Sequence, residues 1–218
     1  MTATAGSDGI WRQQLPATEA SATPHSLAFL ASTGQTAEMQ NVLFGDVYLC
    51  GGQSNMQFSM PAIENASDEA VLADSYPLIR LFTVGQGTAS KTLLDDLQTI
   101  EQAWSVADHT SIGGTGTSSA GFGYFSAVCW IFGREVFDAL GGSVPIGLIS
   151  SNFGGTAIES WSTKEASQEC NVTRLDSILY NAMINPYAVG PMALVGFTWY
   201  QGEANAVQHP GNLSLIHI

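Results

Sequence analysis

The sequence predicts an α/β fold built on an open parallel sheet with helices on both faces. Three near-continuous apolar runs each stop at a polar, glycine-containing turn, and segments with helical patterning lie between them. Strands that are apolar along their whole length are expected in parallel sheets covered on both faces. The alternation of strands and helices then implies right-handed crossover connections.

The three apolar runs are predicted as strands whose turns meet at one edge of the sheet. VLFGDVYLC is followed by the turn at 51–55 (GGQSN), and VPIGLISS by the turn at 152–156 (NFGGT). The third run, MALVGFTWY, is followed by the turn at 201–205 (QGEAN). Ligands of open α/β sheets bind beyond the carboxyl ends of the strands, so all three turns are expected to line one crevice.

Two helices are predicted between these strands. In YFSAVCWIFGREVFDALGG the apolar residues follow the i, i+3, i+4, i+7 spacing of a helix with one buried face. The members of that face are Phe125, Val128, Cys129, Phe132, Val136 and Leu140. Gly141 and Gly142 suit its C-terminal stop. The second helix, VTRLDSILYNAMINPY, is expected to end at Asn185-Pro186.

Composition and charge exclude several classes of partner. Hydrophobic residues make up 45% of the 218 residues and charged residues 11%, which is typical of a globular chain. The formal charge of -13 disfavours binding to nucleic acid or to anionic membrane surfaces. No apolar run is long enough to span a bilayer, and the first 29 residues lack the pattern of a signal peptide.

The cysteines and glycosylation sequons bear on the cellular compartment. Cys50 and Cys129 lie in apolar stretches and are predicted to be buried free thiols, whereas Cys170 has polar neighbours. The three cysteines have no metal-binding spacing. Three Asn-x-Ser/Thr sequons favour the secretory pathway, and they begin at Asn65, Asn171 and Asn212.

Ser54 is the candidate nucleophile, because a serine at a strand end becomes reactive when a base takes its proton and donors receive the oxyanion. The turn is not a G-x-S-x-G elbow, since Met56 replaces the second glycine, and no lysine completes a P-loop. Structural roles are the alternatives: Ser54 as a helix cap, Gly155 as a tight-turn residue and Gln201 as a surface amide.

Four segments together resemble the SGNH hydrolases, and within them the sialate O-acetylesterases and their acetylxylan-esterase relatives. The resemblance covers about residues 40–207 and is carried by LFGDVYLCGGQSNMQFSM, PIGLISSNFGGTAIESW, LYNAMINP and TWYQGEAN. It implies that Ser54 is the nucleophile. Its backbone N–H, Gly155 and the Gln201 side chain would then bind the oxyanion. Substrate binding or site support is assigned to the neighbouring polar residues Gln53, Asn55, Glu203 and Asn205.

The general base expected from the resemblance lies in a late Asp-x-x-His segment, and this chain contains no such segment. The histidines are His25, His109, His209 and His217, and none has an aspartate at that spacing. Residues 1–40 are predicted to be the C-terminal remnant of a β-rich domain, and residues 41–218 a partial esterase domain. The chain is therefore expected to be truncated on both sides and weakly active or inactive alone.

The resemblance implies a serine esterase that removes O-acetyl groups from sugars, sialic acids and glycoconjugates above all, without a metal or organic cofactor. The full-length protein is expected to be lysosomal or secreted. An acetylxylan or other polysaccharide esterase is the alternative within the same class. A non-catalytic carbohydrate-binding homologue, in which Ser54 lacks a base, is the alternative outside it.

Overall fold

The computed structural model describes residues 1–7, 9–113, 122–123, 125–171, 176–188 and 192–208. The strands are β1 Ser21–Leu30, β2 Thr36–Phe44, β3 Asp46–Gly52, β4 Ile79–Val84, β5 Ile100–Val106, β6 Ile146–Asn152 and β7 Gly196–Tyr200. The helices are α1 Ser54–Gln57, α2 Ala66–Ala73, α3 His109–Gly113, α4 Ala127–Ala139, α5 Lys164–Glu169, α6 Asn185–Ala188 and α7 Glu203–Gln208. Short 3-10 turns span Met60–Ala62 and Ile158–Trp161, and a π-helical turn spans Tyr180–Ile184.

Five strands form the central sheet, in the order β5-β4-β6-β3-β7. Strands β4, β6, β3 and β7 are parallel, and β5 pairs antiparallel with β4 at one edge. The predicted open α/β sheet is therefore confirmed, with an antiparallel edge strand that the sequence did not predict. The first predicted run divides at Gly45, because its first three residues, 42–44, close β2 and the rest forms β3.

Two apolar clusters cover the two faces of this sheet. Neighbouring residues along each strand point to opposite faces, so Leu148 joins one cluster and Ile149 joins the other. Helix α4 packs on the first face, and the π-helical turn packs on the second. This three-layer arrangement explains why the central strands are apolar along almost their whole length.

Helix α4 matches the predicted helix, but its buried face is rotated from the predicted one. The buried residues are Ala127, Cys129, Trp130, Gly133 and Phe137. Val128 and Leu140, both predicted to be buried, are instead exposed. The cause is Gly133, because a Cβ there would lie 2.4 Å from Leu148 Cδ1. The helix therefore approaches β6 along Gly133. The rest of the predicted face is confirmed, because Phe125 and Cys129 are buried and Phe132 and Val136 pack against the core.

The second predicted helix continues past the proline that was expected to end it. The π-helical turn runs directly into α6, which contains Pro186. Pro186 follows the π-helical turn by one residue and has no N–H to donate, so the helical segment passes through it with one backbone hydrogen bond fewer.

Cys50 and Cys129 form a disulfide, so the prediction of two free thiols is wrong. Both residues are fully buried, which agrees with the other half of that prediction. The bond joins the end of β3 to the first turn of α4, across a sequence separation of 79 residues. Cys170 is a free, exposed cysteine.

Strands β1 and β2 form a separate antiparallel hairpin, which leads directly into β3. The hairpin is mostly exposed to solvent, and it ends at Phe44 rather than at residue 40. The assignment of residues 1–40 to a preceding β-rich domain stays a prediction. None of the helices in the described ranges is both long and apolar enough to cross a bilayer.

Candidate active site

The three predicted turns lie side by side because their strands end at the same level of the sheet. Gly52, at the end of β3, is paired with Asn152 of β6 on one side and Tyr200 of β7 on the other. Gln53 N–H then donates to the Tyr200 carbonyl oxygen at 3.0 Å. The Ser54 turn is therefore held between the turns that contain Gly155 and Gln201.

Ser54 is the first residue of α1 and is partly exposed at this edge. Within the described residues, neither its backbone N–H nor its hydroxyl group donates a hydrogen bond. The structural alternative, in which Ser54 caps the helix, does not hold in this structure, because α1 has Gln53 at its N-cap and no side-chain cap. A partly exposed serine with an unused hydroxyl group and an unused N–H is suited to nucleophilic attack.

The second turn brings Gly154 against Ser54. A Cβ at Gly154 would lie 3.4 Å from Ser54 Cβ and 3.1 Å from Gln57 Oε1. Gly154 N–H is already used, because it donates to Gln57 Oε1 at 2.7 Å. Gly155 has a φ of +73° and is exposed, and its N–H makes no hydrogen bond to the part of the chain that the structure describes. Of the two glycines, Gly155 thus has the available donor.

The third turn is tied to the other two through Gln201. Its amide nitrogen Nε2 donates to Asn205 Oδ1 at 2.7 Å and to the Thr156 carbonyl oxygen at 3.1 Å. These two bonds occupy both amide hydrogens, and Gln53 Oε1 lies farther from Nε2, at 3.4 Å. In this geometry Gln201 braces the loops, and one hydrogen has to turn away from its present acceptor before the side chain can bind an oxyanion.

The remaining candidate residues hold the loops together. Gln53, almost completely buried, accepts a hydrogen bond from Ala204 N–H through its Oε1 at 3.1 Å. Asn55 Nδ2 donates to Glu203 Oε1. Asn205 accepts from Ile158 N–H at 2.9 Å and donates to the buried Glu159 carboxylate at 2.9 Å. These bonds fix the three turns relative to one another.

A chain of amide side chains behind Ser54 was missed by the sequence reasoning. Gln57 Nε2 donates to Gln86 Oε1 at 2.8 Å, and Gln86 Nε2 donates to Asn152 Oδ1 at 3.4 Å. Asn152 Nδ2 in turn donates to Ser150 Oγ at 2.7 Å. This amide relay (Gln57, Gln86, Asn152) begins at Gly154 N–H. Gln57 lies one helical turn after Ser54 and was recognisable by that spacing, but no signal identified Gln86.

An aspartate and a histidine do meet in the structure, although not at Asp-x-x-His spacing. His109 Nδ1 lies 2.9 Å from Asp74 Oδ1, and His109 N–H donates to the same oxygen at 2.8 Å. The hydrogen bonds from the His109 backbone and then its side chain hold the pKa of Asp74 below its usual value. The hydrogen bond to Asp74 raises the pKa of His109.

This pair lies near the amino-terminal end of the parallel strands, whereas Ser54 lies beyond their carboxyl ends. Asp74 precedes β4, and His109 follows β5, whose last residue pairs with Arg80 near the start of β4. Parallel strands of six or seven residues span about 20 Å, and Ser54 follows their far ends. His25 lies in the β1–β2 hairpin, in ring contact with Phe44. His209 and His217, which come shortly after the third turn in the sequence, lie outside the described residues.

The described residues contain no group of three or more His, Cys, Asp or Glu side chains that could hold a metal ion. The polar groups around Ser54 are amides, hydroxyl groups, backbone N–H groups and the carboxylates of Glu159 and Glu203. Such a set can bind and polarise an ester carbonyl group through neutral hydrogen-bond donors.

Comparisons with known proteins agree with this arrangement. The family described as "Carbohydrate esterase, sialic acid-specific acetylesterase" matches residues 44–212. Sialate O-acetylesterase from Homo sapiens is 40% identical over 183 residues, covering 78% of this chain and 33% of the human protein. The Mus musculus sialate O-acetylesterase is 37% identical over 216 residues, covering 81% of this chain and 38% of the mouse protein.

A solved structure supports the same grouping. The crystal structure of a carbohydrate acetylesterase from Xanthomonas citri matches with a TM-score of 0.72 and 33% sequence identity, covering 88% of this chain and 40% of that one. The chain thus spans between about a third and two fifths of the length of these relatives. The family match covers well over half of the chain, and it includes the three turns that meet around Ser54. The chain belongs to the carbohydrate esterase family of sialic acid-specific acetylesterases.

Proposed function

We propose that the protein hydrolyses O-acetyl esters of sialic acids, with Ser54 as the nucleophile. The observation that carries the proposal is the position of Ser54, which lies partly exposed at the strand ends with its hydroxyl group and N–H unused within the described residues. The substrate class is taken from the human and mouse relatives, both of which are named sialate O-acetylesterases.

The chemistry proceeds in two halves. In the first, Ser54 Oγ attacks the acetyl carbonyl carbon, and an imidazole base takes the hydroxyl proton. The bond from the carbonyl carbon to the sugar oxygen then breaks, and the sugar leaves as an alcohol with that proton. In the second half, the base takes a proton from a water molecule that attacks the acetyl-serine, acetate leaves, and the base gives that proton to Ser54 Oγ.

The oxyanion formed in each half is bound by neutral donors. Ser54 N–H and Gly155 N–H are available, and Gln201 supplies a third donor when one amide hydrogen turns from its present acceptor. Loss of one such donor typically lowers kcat by about 100- to 1000-fold. Gln53, Asn55, Glu203 and Asn205 act as positioning residues, because their hydrogen bonds connect the three turns.

The experiment measures acetate release by the complete protein that the gene encodes, with O-acetylated sialic acid and acetylated xylan as substrates. We expect hydrolysis of the sialate substrate, and a Ser54→Ala variant with the same melting temperature should lose it. Turnover of xylan alone would replace the sialate assignment by the polysaccharide one. Absence of any Ser54-dependent hydrolysis would instead favour a carbohydrate-binding role.

Labelling with a fluorophosphonate tests the base separately. We expect weak or no Ser54-dependent labelling of the 218-residue chain alone, because within the described residues no imidazole contacts Ser54. A version extended to the length of the mouse relative should label strongly. Equal labelling of the two would contradict the prediction that the base lies outside this chain.

A compartment of the secretory pathway, lysosomal or extracellular, is part of the proposal. The Cys50–Cys129 disulfide supports it, since structural disulfides persist mainly in oxidising compartments. Asn65 and Asn171, the acceptor residues of two sequons, are both exposed. Treatment of the protein from its native cells with an N-glycosidase should therefore lower its apparent mass, and an unchanged mass would count against this compartment.

A further inference from the structure

A cavity of about 240 Å³ lies beside the amide relay and has no role in the mechanism above. Its lining includes Gln86, Glu101, Gln102, Thr110 and Phe122. Sites for drug-sized ligands measure roughly 300–1,000 Å³, so this cavity has room for a single sugar ring rather than for a chain.

The cavity lies close to the nucleophile. Gln86, part of its wall, accepts a hydrogen bond from Gln57, and Gln57 is in α1 with Ser54. Phe122, also part of the lining, packs against Phe58, the residue directly after α1, with ring centroids 5.9 Å apart. A ligand in the cavity would therefore be adjacent to the segment that carries Ser54.

Several polar groups of the wall are available to a ligand. Within the described ranges, the Glu101 carboxylate and the Thr110 hydroxyl group make no hydrogen bond, and both residues are exposed. Gln86 uses one amide hydrogen on Asn152 and keeps the other. Gln102 is fixed by Thr83, Ser105 and Ser111, so its amide is held in one orientation. Carboxylate, hydroxyl and amide groups together match the mixed donors and acceptors of sugar hydroxyl groups.

The charges of the wall disfavour an anionic ligand. Glu101 is the one charged residue among the described lining residues. The described cationic side chains lie elsewhere in the chain, at Arg12, Arg80, Lys91, Arg134 and Lys164. A sialic acid carboxylate in the cavity would lie beside the negative Glu101 side chain, with no positive side chain in the described lining, and like charges repel.

We propose that this cavity binds a neutral sugar ring of the glycan that carries the acetylated residue. The proposal rests on the proposed function, because it takes Ser54 to act on an O-acetylated glycan. It makes the cavity a specificity site for glycoconjugates over free acetylated sialic acid, with Phe122 offering an aromatic surface and Glu101 and Thr110 offering hydrogen bonds.

Binding is tested without catalysis, by saturation-transfer NMR and titration of the complete protein with lactose as a neutral probe and N-acetylneuraminate as an anionic one. We expect lactose to bind. Thr110→Trp should weaken its binding at least tenfold because the indole fills the cavity. Glu101→Ala should weaken it by about tenfold, as expected for loss of a charge-assisted hydrogen bond. Glu38→Gln, on the exposed strand β2, is the matched control and should leave binding unchanged.

The same variants separate this proposal from the proposed function. In the wild-type protein, hydrolysis of p-nitrophenyl acetate, which has no sugar, reports the esterase activity alone. Thr110→Trp should lower kcat/KM for an acetylated sialoglycan relative to p-nitrophenyl acetate by at least tenfold. No hydrolysis of either ester by wild type would overturn the proposed function. The lactose titration would still show whether the cavity binds a neutral sugar.

Two results would overturn the sugar site itself. One is the absence of lactose binding, and the other is lactose binding that both cavity variants leave intact. Binding of N-acetylneuraminate that Thr110→Trp abolishes would overturn the assignment to a neutral ring. Should Thr110→Trp fail to fold, as judged from its melting temperature, Glu101→Ala carries the same test, because Glu101 is exposed and its side chain holds no other described residue.

Discussion

Removal of the Cys50–Cys129 disulfide should be the most destabilising change that leaves the apolar core otherwise intact. A double variant, Cys50→Ala with Cys129→Ala, removes the bond without leaving one buried thiol unpaired. The bond closes a loop of 79 residues. In the chain-entropy treatment, closing a loop of that size raises the free energy of the unfolded chain by about 4.5 kcal/mol at 25 °C. Native disulfides typically contribute about 2–5 kcal/mol to the free energy of unfolding.

A change of that size is visible in a thermal melt. For chains of 150–250 residues, 1 kcal/mol shifts the melting temperature by about 2–4 °C, so the double variant should melt roughly 9–18 °C below wild type. Dithiothreitol should lower the melting temperature of the wild type by a similar amount and leave that of the double variant unchanged. Cys170→Ser is the control, because Cys170 is exposed and unpaired.

A thiol titration decides whether the reasoning holds. Denatured, unreduced protein should expose one reactive thiol, that of Cys170, and three only after reduction. Three thiols before reduction would mean that Cys50 and Cys129 are not bonded in the protein. A double variant that melts within 2 °C of wild type would refute the loop-closure magnitude even if the bond is present.

Three further predictions concern the site and the surface pair. Gln57→Leu should lower kcat about tenfold with little change in KM, because Gly154 N–H and Gln86 lose their partner, and steady-state kinetics check this. Gly154→Ala should also lower kcat, because its methyl group would lie 3.1 Å from Gln57 Oε1 and shift the second turn; an unchanged kcat would contradict the close packing. Asp74→Asn should lower the pKa of His109 toward its usual value, measured by NMR titration.

The pH dependence of that pair has a definite sign. The raised pKa of His109 means that its contribution to stability is present below the usual histidine pKa and is lost as the pH rises through the raised value. The lowered pKa of Asp74 means that its contribution is present above the usual carboxyl pKa and is lost as the pH falls through the lowered value. Asp74→Asn should therefore cost most stability at mildly acidic pH, and a uniform loss across pH would contradict the pairing.

The sequence predicted the features that depend on local pattern. Strand β6 and the turn at 152–156 follow from an apolar run and its glycines, and helix α4 follows from a spacing of three and four residues. The sequence did not predict which face of α4 is buried. That face depends on contact between Gly133 and Leu148, which lie in different elements, and no periodicity within the helix reports it.

The missed features are all contacts between distant segments. The disulfide joins residues 79 positions apart, and its two cysteines meet only because α4 packs against the end of β3. Gln86 follows β4, a strand that the sequence reasoning did not identify, so its place beside Gln57 had no sequence signal. The predicted roles of Ser54, Gly155 and Gln201 stay predictions, and Ser54→Ala tests the first of them.

The amide relay has a consequence for how the activity depends on pH. Gln57, Gln86 and Asn152 carry no ionisable group, and neither does the Gly154 N–H that they hold. A change from neutral to acidic pH therefore cannot alter the charge of this part of the scaffold. An acid or alkaline limb in the activity profile would then report the base or the carboxylates of Glu159 and Glu203, which hold Asn205 and Asn55, and not the amide relay.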